Sequence, residues 1–260
     1  QRSNCGGLPA IVTGQGPSIL LLHGVGLRAE AWNAQIDALS VHAQVTAPDL
    51  PGHGEAPTQN SDLTIDDYIS ATLSVLSSIN TPTLVVGHSM GAMFALALAS
   101  RRPDQVLAVA ALNGIYNRSI SAERAVKARA AALDGTSAID PAVTLVRWFG
   151  DTRSPERAAC SDWLSANDPA SYKSAYTAFA HSRIPATSTL QNLTCPALFM
   201  TGALEPNSTP AMSHTMADLT PQGHAKIVDG AAHMMPMTHP EVVNSALLNL
   251  LQNTHSAERI

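Results

Sequence analysis

A single serine, Ser89, lies in the pentapeptide Gly-His-Ser-Met-Gly at positions 87–91, between the apolar run 83–86 and the alanine-rich run 92–99. This pattern predicts a strand, a sharp turn and a helix, with the serine hydroxyl projecting from the turn. Side chains at Gly87 and Gly91 would clash where the strand reverses into the helix. The segment therefore predicts a nucleophile at Ser89, although a bare Gly-x-Ser-x-Gly is common by chance and a serine in such a loop is more often a turn residue.

A serine nucleophile needs a base that arrives at the same end of a sheet. Among the ten histidines, His233 lies on the glycine-led loop 230–236, directly after the short apolar run 226–228 and before the final helical pattern. That position would let the imidazole reach over the ends of the strands. We therefore predict that His233 is the base.

The third member of such a group is a carboxylate that orients the imidazole and stabilises its charged form. Glu205 is the only acid in the loop 201–210, which follows the apolar run 197–200. The alternative is an ordinary acid near a helix N-terminus. The chain order Ser89, Glu205, His233 is the one expected of a site built on a strand-turn-helix nucleophile.

Negative charge that develops on a substrate oxygen requires donors held ready for it. The segment His-Gly-Val-Gly at positions 23–26 follows the apolar run 19–22, and its glycines let the backbone approach the end of the sheet. We predict that the backbone amides of Val25 and Met90 form this oxyanion site. His23 is expected to shape the loop through hydrogen bonds.

Short apolar runs alternate with longer helical patterns along most of the chain, which predicts an α/β fold with a mostly parallel, doubly wound sheet. The strand pattern disappears from residue 115 to residue 189, where four short helices are predicted at 121–133, 141–149, 155–165 and 169–180. We therefore predict a core formed by residues 1–114 and 190–260, with residues 115–189 inserted as a helical cap.

Seven of the eleven aromatic residues fall within residues 115–189. Aromatic residues could build a minor core for the cap or line a pocket above Ser89. The residues predicted to line a substrate pocket are Arg28, Trp148, Trp163, Tyr172 and Met234. For the methionine, packing in the core is an equal alternative. Three arginines, Arg28, Arg118 and Arg183, are candidates for pairing with a substrate carboxylate, and solvated surface arginine is the alternative for each.

Together these motifs resemble the α/β-hydrolase superfamily: the segments 23–26, 49–54, 87–91, 202–205 and 230–233 occur in the family's order over nearly the whole chain. The resemblance implies a hydrolase without cofactor or metal, whose cap corresponds to residues 115–189. It also implies that Asp49 and His53 belong to a structural turn. Serine at position 89 argues against haloalkane dehalogenase and epoxide hydrolase chemistry, whose members carry aspartate there. Glutamate at position 205 departs from the family, in which aspartate is more frequent.

The leading hypothesis is a serine hydrolase that cleaves a small carboxylic ester or lactone through an acyl-enzyme, a reaction of class EC 3.1. A carbon-carbon bond hydrolase acting on a diketone-type or carboxylate-bearing substrate uses the same residue types. A ligand receptor that retains the same three residues is an alternative from another class. Turnover separates the receptor from both enzymes.

The net charge of −5 and the absence of basic clusters argue against a nucleic-acid partner. The longest apolar runs have the length of strands and are too short to span a membrane. Cys5, Cys160 and Cys195 show no metal-ligand spacing and suit free thiols in a reducing compartment. We expect a cytoplasmic protein with a small-molecule substrate. The first residues do not resemble a secretory signal, and the removal of an N-terminal leader stays an alternative. The oligomeric state is not indicated.

Overall fold

A computed structural model of the protein describes residues 2–58 and 62–257 and shows one eight-stranded sheet. The strands are β1 (Ser3–Cys5), β2 (Leu8–Thr13), β3 (Ser18–Leu22), β4 (Gln44–Pro48), β5 (Thr83–His88), β6 (Val106–Leu112), β7 (Ala197–Gly202) and β8 (Gly223–Val228). Their order across the sheet is β1-β2-β4-β3-β5-β6-β7-β8. β1 and β2 form an antiparallel hairpin and β2 runs antiparallel to β4, whereas all the other neighbours are parallel. The predicted fold class is confirmed.

Helices cover both faces of the sheet. They are α1 (Asn33–Leu39), α2 (Ile65–Ser78), α3 (Met90–Arg101), α4 (Ile120–Ala131), α5 (Ala142–Phe149), α6 (Pro155–Ala166), α7 (Pro169–His181), α8 (Thr187–Gln191), α9 (Pro210–Leu219), α10 (Met235–Thr238) and α11 (Pro240–Ala257). Ile36 of α1 and Leu247 of α11 pack on one face, and Tyr68 of α2 and Phe94 of α3 pack on the other. The central strands β3 and β5 are buried on both faces, as their uninterrupted apolar sequences require.

The four helices α4 to α7 lie between β6 and β7, where the sequence predicted an insertion. Each begins and ends within two residues of its predicted bounds. Serine or aspartate caps, at Ser119, Ser154 and Asp168, accept a backbone hydrogen bond at the starts of α4, α6 and α7. We call residues 115–189 the insertion. The division into core and cap domains stays a prediction, and residues 1, 59–61 and 258–260 of the predicted core lie outside the described residues.

None of the helices in the described ranges has both the length and the apolar composition that crossing a bilayer requires. The helix α3 is almost entirely buried, but it has only 12 residues and packs inside the protein.

Candidate active site

Ser89 sits between the last residue of β5 and the first residue of α3, with φ 56° and ψ −116°. A non-glycine residue rarely adopts positive φ, so the surrounding structure must hold this conformation. A Cβ atom on Gly87 would collide with the backbone of Gly91, and one on Gly91 would collide with the carbonyl of Leu22. The predicted close approach of the two glycines is therefore present, and it fixes where the serine hydroxyl points.

His233 and Glu205 form a hydrogen-bonded pair at the same edge of the sheet. The imidazole Nδ1 of His233 lies 2.6 Å from Oε2 of Glu205, and the carboxylate is completely shielded from solvent. Since a carboxylate accepts, Nδ1 carries the proton and the other ring nitrogen, Nε2, is left to act as an acceptor. This is the arrangement that a general base requires.

The second oxygen of Glu205 is held by the backbone of its own loop. Oε1 accepts hydrogen bonds from the amides of Asn207 (2.7 Å) and Ser208 (3.3 Å). Burial would raise the pKa of Glu205, but the charge and hydrogen bond of His233 together with these amides lower that pKa to about 2. The carboxylate is therefore ionised throughout the neutral range, although it is buried.

Asn113 also contacts Glu205, and the sequence analysis did not single it out. Its Nδ2 lies 3.1 Å from Oγ1 of Thr201 and 3.3 Å from Oε2 of Glu205. The residue has φ 50° directly after β6. An Asn-Gly pair at the end of a strand, here Asn113-Gly114, is a signal for such a conformation, because asparagine tolerates positive φ better than most residues.

The loop that follows β3 passes directly over the serine. A Cβ atom on Gly24 would lie 3.1 Å from Cβ of Ser89, so any larger residue there would crowd the serine. His23 stabilises the loop as expected: Nδ1 donates to the carbonyl of Gly24 (2.8 Å), and Nε2 accepts from the amide of Leu50 (3.0 Å). Burial and the neighbouring His53 lower the pKa of His23 well below its usual value, so the ring is neutral.

His88 supports the loop that carries His233. Its Nε2 donates to the backbone carbonyl of His233 over 2.8 Å, and the centroids of the two rings lie 4.9 Å apart. Burial, followed by the charge of His233, lowers the pKa of His88 to about 3. The ring therefore stays neutral in the folded protein.

Because His88 is buried in its neutral form, we expect the folded protein to lose stability in acid. Between about pH 6.5, the pKa of an unfolded histidine, and pH 3, the unfolded state binds a proton that the folded state does not. The stabilising effect is thus complete above pH 6.5 and lost as the pH falls. In denaturant titrations from pH 7.5 to 4.5, His88→Gln should reduce the slope of unfolding free energy against pH by up to about 1.4 kcal/mol per pH unit. The same change at the exposed His224 should leave the slope as in the parent, and equal slopes in both variants would contradict the prediction.

A cavity of about 420 Å³ lies above these residues, and both Ser89 and His233 line it. The core contributes Gly24 and Val25 to its lining, and the insertion contributes Trp148 and Tyr172, as predicted. The Trp148 ring stacks on His233 with a centroid distance of 5.5 Å and an interplanar angle of 24°. The insertion therefore both roofs the cavity and contacts the imidazole.

Three residues predicted for this pocket lie elsewhere. Arg28 pairs with Glu30 (2.7 Å) and approaches Glu55 (3.8 Å), and together with Trp163 it lines a separate cavity of about 210 Å³. Met234 is 1 % exposed and is packed in the core behind the loop. For Arg28 and Met234, proximity to the motifs along the sequence was misleading, because one forms ion pairs outside the cavity and the other is buried in the core.

Arginines line the cavity instead. Arg118, a candidate from the sequence, is joined by Arg129 and Arg147, which the sequence analysis missed. The other candidate, Arg183, is 84 % exposed and lies 3.4 Å from Glu123 outside the cavity. In the part of the chain that the structure describes, no aspartate or glutamate lines this cavity. The cavity thus has an excess of positive charge above a serine and a histidine.

Comparison with known proteins agrees with this fold. A model of the alpha/beta hydrolase family matches residues 19–246. An (E)-2-((N-methylformamido)methylene)succinate hydrolase of Acinetobacter baylyi is 36 % identical over 93 % of this chain and 92 % of its own length. The chain belongs to the α/β-hydrolase family.

Other relatives of this α/β-hydrolase differ in their named activities. A pimeloyl-[acyl-carrier protein] methyl ester esterase of Xanthomonas campestris is 28 % identical over 91 % of the chain and 95 % of its own length. The crystal structure of an enol-lactonase from Burkholderia xenovorans superimposes with a TM-score of 0.82 at 24 % identity, covering 97 % of this chain and 100 % of the other. That similarity shows the shared fold.

Proposed function

We propose that this α/β-hydrolase cleaves an acyl bond of a small molecule through Ser89, His233 and Glu205. The observation that carries the proposal is the Glu205–His233 pair, whose histidine lines the same cavity as the strained Ser89. Glu205 fixes the tautomer of His233 and stabilises the imidazolium, so that the imidazole can take the proton of the serine hydroxyl.

The reaction would proceed in two halves. Ser89 Oγ attacks the carbonyl carbon while His233 accepts its proton, and the oxyanion is held by the backbone amides of Val25 and Met90. The amide of Met90 lies in the first turn of α3, where it has no partner within the helix. His233 then protonates the leaving group, and an acyl-enzyme remains. Water, deprotonated by His233, attacks the ester carbon, and His233 returns the proton to Ser89 Oγ as the acid is released.

For the bond that is cleaved, we favour an amide C–N bond whose nitrogen is attached to an alkene carbon. The relative that is 36 % identical over nearly the full chain is named for a formamide attached to a methylene-succinate. Attack on such a carbonyl uses the same serine, base and oxyanion donors as ester hydrolysis. The arginine-rich lining suits the carboxylates of such a compound.

A small ester or lactone is the second candidate, supported by the methyl ester esterase relative. A panel that compares an N-formyl enamine with the equivalent methyl ester and lactone separates the two by kcat/KM. Carbon-carbon cleavage would appear in the same panel as turnover of a carboxylate-bearing diketone. Failure of the whole panel would favour a receptor with the same three residues.

Covalent labelling tests the nucleophile directly. A neutral fluorophosphonate should add one label to the parent, seen as a single mass increment in the intact protein, and none to Ser89→Ala. Ser119 lines the same cavity but lies at the start of α4, so Ser119→Ala is the matched control and should label as the parent does. Labelling that persists in Ser89→Ala, or that is absent from the parent, would exclude the proposed mechanism.

A further inference from the structure

Two arginines in the cavity have buried nitrogen atoms that no described residue satisfies. These are Nη2 of Arg118 and Nε of Arg147. A buried donor of a charged group without a partner is costly, and the cost disappears when an anion accepts from it. The unpartnered nitrogens therefore point to a ligand.

Arg118 is held in place by neutral groups. Its guanidinium carbon lies 4.6 Å from the centroid of the Phe179 ring, and Nη1 donates to the carbonyl of Ser182 over 3.3 Å. Burial lowers the pKa of Arg118 below its usual value, but a guanidinium remains charged in proteins. The side chain is thus ordered and charged, and none of the described salt bridges includes it.

Arg147 and Arg129 are held in the same manner. Nη2 of Arg147 donates to Oγ1 of Thr144 over 3.1 Å, and Nε of Arg129 donates to the hydroxyl of Tyr176 over 3.0 Å. Neither arginine pairs with a described carboxylate. Hydroxyl groups orient the two guanidinium groups without neutralising them.

The three arginines line the same cavity, and Arg129 lies near enough to Arg118 for their charges to interact. Arg118 also lines a neighbouring cavity of about 430 Å³, whereas Arg129 and Arg147 both line another of about 390 Å³. These two neighbouring cavities share no described lining residue. Positive charge is therefore concentrated in the cavity that Ser89 lines.

We propose that the cavity binds a dianion, with one carboxylate on Arg118 and the other on Arg147, assisted by Arg129. The scissile carbonyl would lie at Ser89, an orientation that rests on the proposed function. A guanidinium presents two parallel donors to a carboxylate, which gives both affinity and orientation. The substrate class is then a short dicarboxylate, and neutral esters would be poor substrates.

Protection of Ser89 from labelling tests the proposed dianion site without knowledge of the true substrate. Succinate and glutarate, together with their monomethyl esters, compete with the neutral fluorophosphonate for the cavity. In the parent, removal of one charge should weaken protection by about 10- to 100-fold, as expected for loss of a hydrogen-bonded charged group. Equal protection by a diacid and its monoester would overturn the proposal.

Substitution identifies the arginines. Arg118→Gln and Arg147→Gln should each abolish the preference for the diacid over its monoester, with protection measured relative to the labelling rate of each variant without competitor. Arg183→Gln, an arginine of the insertion outside the cavity, is the control and should retain the preference. If both cavity variants retained the preference for the diacid over its monoester, the proposal would also be overturned.

Calorimetric titration with succinate separates this proposal from the proposed function. If the parent fails to label but binds succinate, and Arg118→Gln weakens that binding, the serine mechanism fails and the dianion site stands. If Ser89 labels and succinate shows neither protection nor binding, the dianion site fails and the mechanism stands.

Discussion

Replacing Glu205 by glutamine is expected to lower kcat by about 10³- to 10⁴-fold, as the loss of the buried acid does in serine hydrolases. The glutamine carbonyl can still accept from the Asn207 and Ser208 amides. Its NH2 group would then face Nδ1 of His233 and favour the tautomer with the proton on Nε2, which cannot accept from Ser89. Steady-state kinetics on the substrate with the highest kcat/KM in the panel measure the effect.

Two further variants make this prediction specific. Glu205→Asp restores the charge one methylene further back and should recover part of the lost rate, since aspartate is common at this position in the family. Glu30→Gln removes an acid that pairs with Arg2 and Arg28 outside the cavity, and should leave kcat within about twofold of the parent. A glutamine variant at position 205 with near-parental kcat would show that another acid serves His233.

Replacing Gly91 by alanine is expected to prevent folding or to cost about 4 kcal/mol or more, the range that marks severe backbone or core disruption. The new Cβ would collide with the carbonyl of Leu22, which belongs to a central strand and cannot move without breaking the sheet. Thermal unfolding and soluble yield measure the loss. The effect should appear in the absence of any substrate.

Gly114→Ala is the matched control. The nearest atoms to its added Cβ are side-chain carbons at 3.5 to 3.6 Å, which is ordinary van der Waals contact. Its midpoint of unfolding should stay within a few degrees of the parent. Comparable stability of the Gly91 and Gly114 variants would mean that the turn does not require glycine for packing.

The sequence was sufficient to predict Ser89, His233 and Glu205 because each lies on a loop directly after a strand. In a parallel sheet such loops meet at one edge whatever the details of packing. The structure brings His233 and Glu205 to 2.6 Å and places Ser89 in the same cavity. Their roles stay proposals until the labelling and kinetic experiments are made.

Residues of the insertion were predicted less well, since their positions depend on how helices pack and on which way each side chain points. Arg129 and Arg147 lie on α4 and α5 with no distinguishing spacing, and only the tertiary structure brings both to one cavity. The β1–β2 hairpin was missed for a different reason. β1 has three residues and β2 contains Pro9, so neither carries a strong strand signal.

The stacking of Trp148 on His233 has a consequence for how this enzyme could be diversified. Because α5 supplies a ring that touches the imidazole, exchanging the insertion between relatives would alter the reaction rate as well as the choice of substrate. Chimeras that keep a tryptophan at this place should retain more turnover than those that lose it. The same helix therefore affects both substrate recognition and the reaction rate, so a change in the insertion would change both.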